Sequence, residues 1–241
     1  MKDTEMLSTI KGGLIVSCQA LPEEPLHGGD TMAKMAKAAV EGGAVAIRAN
    51  GAADIREMRK VTNAPIIGLV KRDYADSAVY ITATKAEVEE LLAVGVEMIA
   101  IDATDRARPG GEMLADLVSF IHDHDTLVLA DVSTVAEGVA AAKLGCDAIS
   151  TTLSGYTSYT DSSQAGPDRE LLRALSNEIE VPIIAEGRVR TPEEAVDMLK
   201  LGAYAVVVGS AITRPQQITK GFVNLIAKER ETWERHKLKS R

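Results

Sequence analysis

Cysteine, aromatic side chains and excess positive charge are all scarce in this 241-residue chain. Two cysteines, Cys18 and Cys146, are too few for a disulfide framework, which predicts a reduced, cytoplasmic protein. The opening MKDTEMLSTIKGG lacks the long apolar core of a secretory leader, in keeping with that placement. One Trp, five Tyr and two Phe, with 27 Lys and Arg against 35 Asp and Glu for a net charge of −8, leave no basic stripe or stacking surface for nucleic acid. No stretch approaches the roughly 18 uninterrupted apolar residues of a membrane span, so no membrane partner is expected. What remains, 46% hydrophobic and 26% charged, is the composition of a chain that buries a core. Its length suits two ordinary domains or one large α/β barrel of roughly 250 residues.

An internal regularity decides between them. Thr31, Thr84, Thr134 and Thr191 are each followed eleven residues later by a glycine: Gly42, Gly95, Gly145 and Gly202. In the last three segments Glu87, Glu137 or Glu194 lies three residues after the threonine, the spacing of a capping box, and Pro192 suits a first helical position. The glycines fall where a left-handed C-terminal cap is wanted. Each segment leads into an apolar, β-branched run, at 44–48, 96–102, 147–152 and 203–209, and four more runs lie at 14–18, 65–71, 126–131 and 181–187. Further helices are expected at 52–62, 111–123, 167–178 and 215–230. Run centres stand 21 to 35 residues apart, too far for hairpins and right for a strand, a crossover helix and a parallel return. Eight such units predict a single (β/α)8 barrel over 1–241, with a lead-in at 1–11 and a C-terminal helix and charged tail at 215–241. An open doubly wound sheet is the alternative, but no GxGxxG turn opens its first helix.

In a barrel the loops at the carboxyl ends of the strands build the site. Those ends carry Gln19, Arg48, Lys71, Asp102, Asp131, the Thr151–Thr152 pair, Glu186 and Ser210. The charged members follow apolar runs directly and need partners or a ligand; ion pairing among themselves is the plainer alternative. Lys71 is the candidate base: desolvation and Arg48 would lower its proton affinity while Glu186 would oppose them. After the last two strands, AEGRVRTPEE and VGSAITRPQQ read as a phosphate cradle. There Gly187 and Gly209 admit backbone amides, Ser210 adds a donor and Arg188 or Arg214 adds charge.

Other residues carry less. His122 and His124 precede the fifth strand, on the stability face, and no clustered metal set emerges. Cys18 and Cys146 read as packing residues. The polar loop at 154–168, with Tyr156 and Tyr159, has the length of a lid. Trp233, the single tryptophan, reads as a contact to a second subunit.

These segments together resemble the N-acetylmannosamine-6-phosphate 2-epimerases, in GGLIVSCQAL, AIRANG, PIIGLVKRDY, IAIDATDR, LADVST, TTLSGYT, IIAEGR and VVGSAITRP, over nearly the whole chain. The resemblance implies inversion at C2 of N-acetylmannosamine 6-phosphate to N-acetylglucosamine 6-phosphate, through loss and return of a proton on the ring-opened sugar, in amino-sugar (sialic acid) catabolism. It implies no redox cofactor and no metal. It makes Lys71 and Glu186 the catalytic pair, and Gln19, Arg48, Asp131, Thr152 and Tyr156 the contacts to the phosphorylated N-acetylhexosamine. Gly187, Arg188, Gly209, Ser210 and Arg214 become the phosphate contacts. A homo-oligomer, with a dimer favoured, is expected. The rivals are a Schiff-base aldolase using Lys71, a metal-dependent pentulose-phosphate epimerase, and a phosphosugar-binding barrel without chemistry.

Overall fold

Eight parallel strands close on themselves in sequence order, β1 through β8, in a computed structural model that describes residues 2–239, with side chains over 5–230. The strands are β1 (Leu14–Cys18), β2 (Ala46–Asn50), β3 (Ile66–Leu69), β4 (Met98–Asp102), β5 (Leu127–Asp131), β6 (Ala148–Ser150), β7 (Ile183–Ala185) and β8 (Ala205–Val208). The helices around them are α1 (Lys2–Ile10), α2 (Gly29–Glu41), α3 (Ala52–Met58), α4 (Lys85–Leu92), α5 (Leu114–His122), α6 (Val135–Lys143), α7 (Arg169–Glu178), α8 (Pro192–Lys200), α9 (Ser210–Thr213) and α10 (Pro215–Lys239). The β8–β1 pairing, Leu14 opposite Val206 through Val16 opposite Val208, closes the ring and removes the open-sheet alternative.

Strand parity sorts the side chains. Ile15, Ala46, Ile67, Leu69, Met98, Ala100, Leu127, Leu129, Ala148, Ile184, Ala205 and Val207 fill the barrel interior. Their neighbours Val16, Ile47, Ile66, Ile99, Val128, Ile149, Ile183 and Val206 face outward and pack under the helices. Continuous apolar runs are what strands buried on both faces require. The sequence lead-in at 1–11 is itself a helix: α1 adds Met6 and Ile10 to the interior cluster, and Tyr204 Oη donates to Leu7 O at 2.9 Å, so α1 plugs the amino end of the barrel.

The helix ends follow their local chemistry. Capping boxes form at Thr84, Thr134 and Thr191, with Glu87, Glu137 and Glu194 reaching back to the caps. Gly95, Gly145 and Gly202 take φ of +69°, +91° and +105° behind their helices. The first repeat differs from expectation: α2 starts at Gly29, before Thr31, Gly42 stays right-handed at φ −77°, and Gly43 takes the left-handed turn at +99°. Two consecutive glycines let the chain choose the later one. The expected helix at 215–230 runs on to Lys239. Among the described residues no helix is long and apolar enough to cross a membrane.

Candidate active site

The inward parity that fills the barrel also delivers the site. Stepping by two along each strand and past its carboxyl end takes Ile15 to Ser17 and Gln19, Ala46 to Arg48, Leu69 to Lys71, Leu129 to Asp131, Ala148 to Ser150 and Thr152, Ile184 to Glu186, and Val207 to Gly209. The polar groups are the top layer of the core, not loose strand ends.

Arg48 lies at the centre, 1% exposed, with Nη1 and Nη2 donating to Asp131 Oδ1 and Oδ2 at 3.1 and 2.5 Å. Its Nη1 is also 3.1 Å from Glu186 Oε2. β2 runs two residues beyond Arg48 to Asn50, whose Oδ1 accepts the Lys71 backbone N–H at 2.8 Å. Thr152 Oγ1 lies 2.8 Å from Asp131 Oδ1 and 3.0 Å from Glu186 Oε2 and bridges the two carboxylates. Thr151 fastens the Glu186 backbone, accepting its N–H at 3.1 Å and donating to its carbonyl at 2.8 Å. Two acidic groups around one fully buried guanidinium leave an excess negative charge, and Lys71 is the cation that faces it.

Lys71 follows β3 where the chain folds back on itself: Lys71 bridges to Ile81 antiparallel and the Arg72 N–H donates to Tyr80 O. Among the described residues no carboxylate oxygen comes within 4.0 Å of its ammonium. Burial, with Arg48 second, lowers the Lys71 pKa to about 8 against the opposing pull of Glu186. Burial raises the Glu186 carboxyl above its usual range, with Asp131 adding to the rise and Arg48 and Thr152 resisting it. A depressed amine and an elevated carboxyl in one cavity are the condition in which a proton moves cheaply.

That cavity, of about 320 Å³, opens at the carboxyl ends of the strands and is lined by Gln19, Arg48, Lys71, Thr152, Tyr156, Glu186, Gly187, Arg188, Gly209, Ser210 and Arg214. Asp131 does not line it; it lies fully buried behind Arg48. Gln19 Nε2 donates to Ser17 Oγ at 2.9 Å, and its buried Oε1 has no partner among the described residues. Gly187 sits at φ +104°, a backbone only glycine adopts without strain. Arg188 lines the cavity, but its guanidinium is committed to the β6–α7 loop, donating to Gly166 O at 2.8 Å, Ser154 O at 2.7 Å and Gln164 Oε1 at 3.2 Å. Arg214 keeps one terminal nitrogen 3.3 Å from Ser210 Oγ.

Tyr80, Ser17, Arg190 and Gln217 also line the cavity and were not expected from sequence. For Tyr80 a signal existed: VYIT at 79–82 alternates like a short strand, and its return leg sets Tyr80 beside Lys71. Asp102 stands apart, salt-bridged to Arg106 at 2.6 Å. The 154–168 loop is tied down by Ser154 on Asp168 and by Tyr159 on Glu137. His122 and His124 bond Asp147 and the Phe120 carbonyl, before β5. Cys18 and Cys146 are buried free thiols whose pKa burial pushes up to about 12. Trp233 lies outside the residues whose side chains are described.

Residues 32–228 match the family model described as "Putative N-acetylmannosamine-6-phosphate epimerase". A Clostridium perfringens (strain SM101 / Type A) protein named "Putative N-acetylmannosamine-6-phosphate 2-epimerase" is 56% identical over 221 residues, 92% of this chain and all of that one. A protein of the same name from Caldanaerobacter subterraneus subsp. tengcongensis is 53% identical over 228 residues, 94% of this chain and 96% of its own. The solved N-acetylmannosamine-6-phosphate 2-epimerase of Clostridium perfringens superposes with a TM-score of 0.90 at 55% identity, covering 91% of this chain and 96% of that one. A thiamine phosphate pyrophosphorylase of Pyrococcus furiosus, 18% identical with a TM-score of 0.57 over 86% of this chain and 89% of its own, shares the fold alone. By sequence and by structure, this chain belongs to the N-acetylmannosamine-6-phosphate epimerase family.

Proposed function

We propose that the chain inverts C2 of N-acetylmannosamine 6-phosphate to give N-acetylglucosamine 6-phosphate, in the cytoplasm and in the breakdown of amino sugars. The observation that carries this reading is the depressed Lys71 amine facing the elevated Glu186 carboxyl, in a cavity that Gly187, Gly209, Ser210 and Arg214 also line. In the closed sugar the C2 proton is scarcely acidic. Ring opening makes C1 an aldehyde, and the C2–H bond can then break toward a base while its electron pair moves through C2–C1 onto the aldehyde oxygen. Lys71 Nζ, as the free amine, takes that proton and becomes the ammonium; a proton from solvent, delivered to the opposite face of C2, restores the aldehyde with inverted configuration, and Lys71 then releases its own proton to solvent. Arg48, its planar fork held by Asp131, is a fixed positive group for developing negative charge on the sugar oxygens. Glu186, bridged to Arg48 and Thr152, offers the carboxyl that holds a sugar hydroxyl and the Lys71 charge once it is protonated. Gln19 Oε1, buried without an acceptor's usual partner, suits the acetamido N–H. Tyr156 and Thr152 border the same space.

The phosphate reading rests on Gly187, Gly209, Ser210 and Arg214 converging after β7 and β8, the usual anion position of such barrels. In the short turn α9 the Ile212 and Thr213 N–H groups donate to Gly209 O at 2.8 and 3.0 Å, which leaves the Ser210 and Ala211 N–H groups for the phosphate. Arg188 contributes by bracing the loop that carries Tyr156, with its guanidinium 5.8 Å from that ring.

Proton NMR in heavy water is the test. With the phosphosugar, the C2 proton signal should vanish with no carbon–carbon cleavage and no borohydride-trapped adduct at Lys71. Cleavage products or a trapped adduct would point to the aldolase, and binding without exchange would leave a phosphosugar-binding barrel.

The chain acts as a homo-oligomer, with a dimer favoured, in this reading. Ile218, Phe222, Leu225 and Ile226 recur at helical spacing on α10 and stand exposed, Phe222 at 68% and Ile226 at 65%. A contiguous apolar face of this kind calls for a covering surface. Phe222→Asp together with Ile226→Asp should lower the mass measured by light scattering to that of a monomer; an unchanged mass would remove α10 from the interface.

A further inference from the structure

Glu24 lies in the loop between β1 and α2, behind the anion end of the cavity rather than on its wall. Its carboxylate lies along one edge of the Arg214 guanidinium: Nη2 donates to Oε2 at 2.9 Å, while Nε, 2.6 Å from Oε1, is in ion-pair contact without an aligned hydrogen bond. The same carboxylate accepts the Leu21 N–H at 2.8 Å and Gln216 Nε2–H at 3.1 Å. One acidic group thus ties the loop after β1 to the end of α9 and the first turn of α10. Burial alone would raise the Glu24 pKa, but Arg214 and the Leu21 N–H outweigh it and keep the carboxyl below its usual range. With the Nε edge occupied, the guanidinium's remaining nitrogen, Nη1, lies 3.3 Å from Ser210 Oγ, where both residues line the cavity. A guanidinium is a rigid fork of five donors, so fixing one edge fixes the direction of the others.

We propose that Glu24 is a positioning residue for phosphate capture: it holds Arg214 with its Nη1 edge turned to the Gly209–Ser210 pocket, so the substrate phosphate meets an arginine already in place. This rests on the phosphate reading above and adds a residue that reading does not use. Without the brace, binding has to immobilise a long side chain, a cost that corresponds to about a three- to tenfold loss of affinity. The competing effect is repulsion between Glu24 and the phosphate, which would give the opposite sign.

Kinetics of Glu24→Gln, with inorganic phosphate as competitive inhibitor, separate the two. KM and the inhibition constant for phosphate should both rise about three- to tenfold, with the change falling on KM far more than on kcat. Glu24→Asp, which keeps the charge and shortens its reach, should shift both in the same direction by less. In an Arg214→Ala background, Glu24→Gln should change neither constant further, which a merely structural role for Glu24 would not produce. Unchanged or tightened constants in Glu24→Gln, or an equal effect when Arg214 is absent, would overturn the proposal. If Arg214→Ala itself leaves KM and phosphate inhibition untouched, the phosphate reading fails first and takes this one with it.

Discussion

The pH dependence of turnover follows from the site's electrostatics and can be perturbed at one atom pair. With the Lys71 pKa at about 8 in place of the usual 10.5, the free amine is roughly 300-fold more abundant at neutral pH. The base form is lost as pH falls, so kcat should drop about tenfold per pH unit below about 8. The substrate phosphate titrates near pH 6, about two units away, and does not obscure this limb. Replacing Glu186 by Gln removes a negative charge that raises the Lys71 pKa. The two groups stand beyond ion-pair distance; a unit charge at about 6 Å in an effective dielectric of about 20 is worth about 3 kcal/mol, or about two pH units. Arg48 screens part of that interaction, so the limb of the residual Glu186→Gln activity should move down by about half a unit to two units. The assay is C2 exchange or coupled turnover across pH 5.5 to about 9.5 in constant ionic strength. A limb that stays put, moves up or disappears in Glu186→Gln would refute Lys71 as the titrating base.

Two further perturbations test the scaffold beneath the chemistry. Arg48→Met leaves Asp131 and Glu186 facing each other without their cation, so urea unfolding should show a loss of about 3–5 kcal/mol, as when a buried ion pair loses one partner. Thr134→Ala removes the acceptor for the Glu137 N–H at the start of α6 and should cost about 1 kcal/mol in the same assay. It should leave KM unaltered, since Thr134 does not line the cavity.

The eight-strand order was legible because four of the apolar, β-branched runs each follow a threonine-to-glycine helix segment and the other four alternate with them at crossover spacing. The mouth residues were legible because Arg48, Lys71, Asp131 and Glu186 each follow directly on an apolar residue at the carboxyl end of a run. What depended on distance in space was not. Whether Lys71 gains or loses proton affinity needed the burial that outweighs Glu186. Arg188 reads as free positive charge beside a glycine, yet its partners are carbonyls of Ser154 and Gly166 from a different loop. Asp131 reads as a sugar contact, but the side chain of Arg48 stands between it and the cavity. Glu24 is one of two adjacent acids in LPEEPLHGG and acquires meaning only from Arg214, 190 residues later. α1 is short and weakly patterned; its place is set by the open amino end of the barrel, which Met6 and Ile10 fill.

The central claim is that the Lys71 amine removes the proton from C2. The most direct measurement is the rate at which solvent deuterium enters C2 of the phosphosugar in Lys71→Ala, followed by proton NMR beside the unaltered protein. General-base loss predicts a fall of at least about 10²-fold, with inorganic phosphate still bound at the same affinity. Exchange within a few-fold of the unaltered rate would contradict the claim.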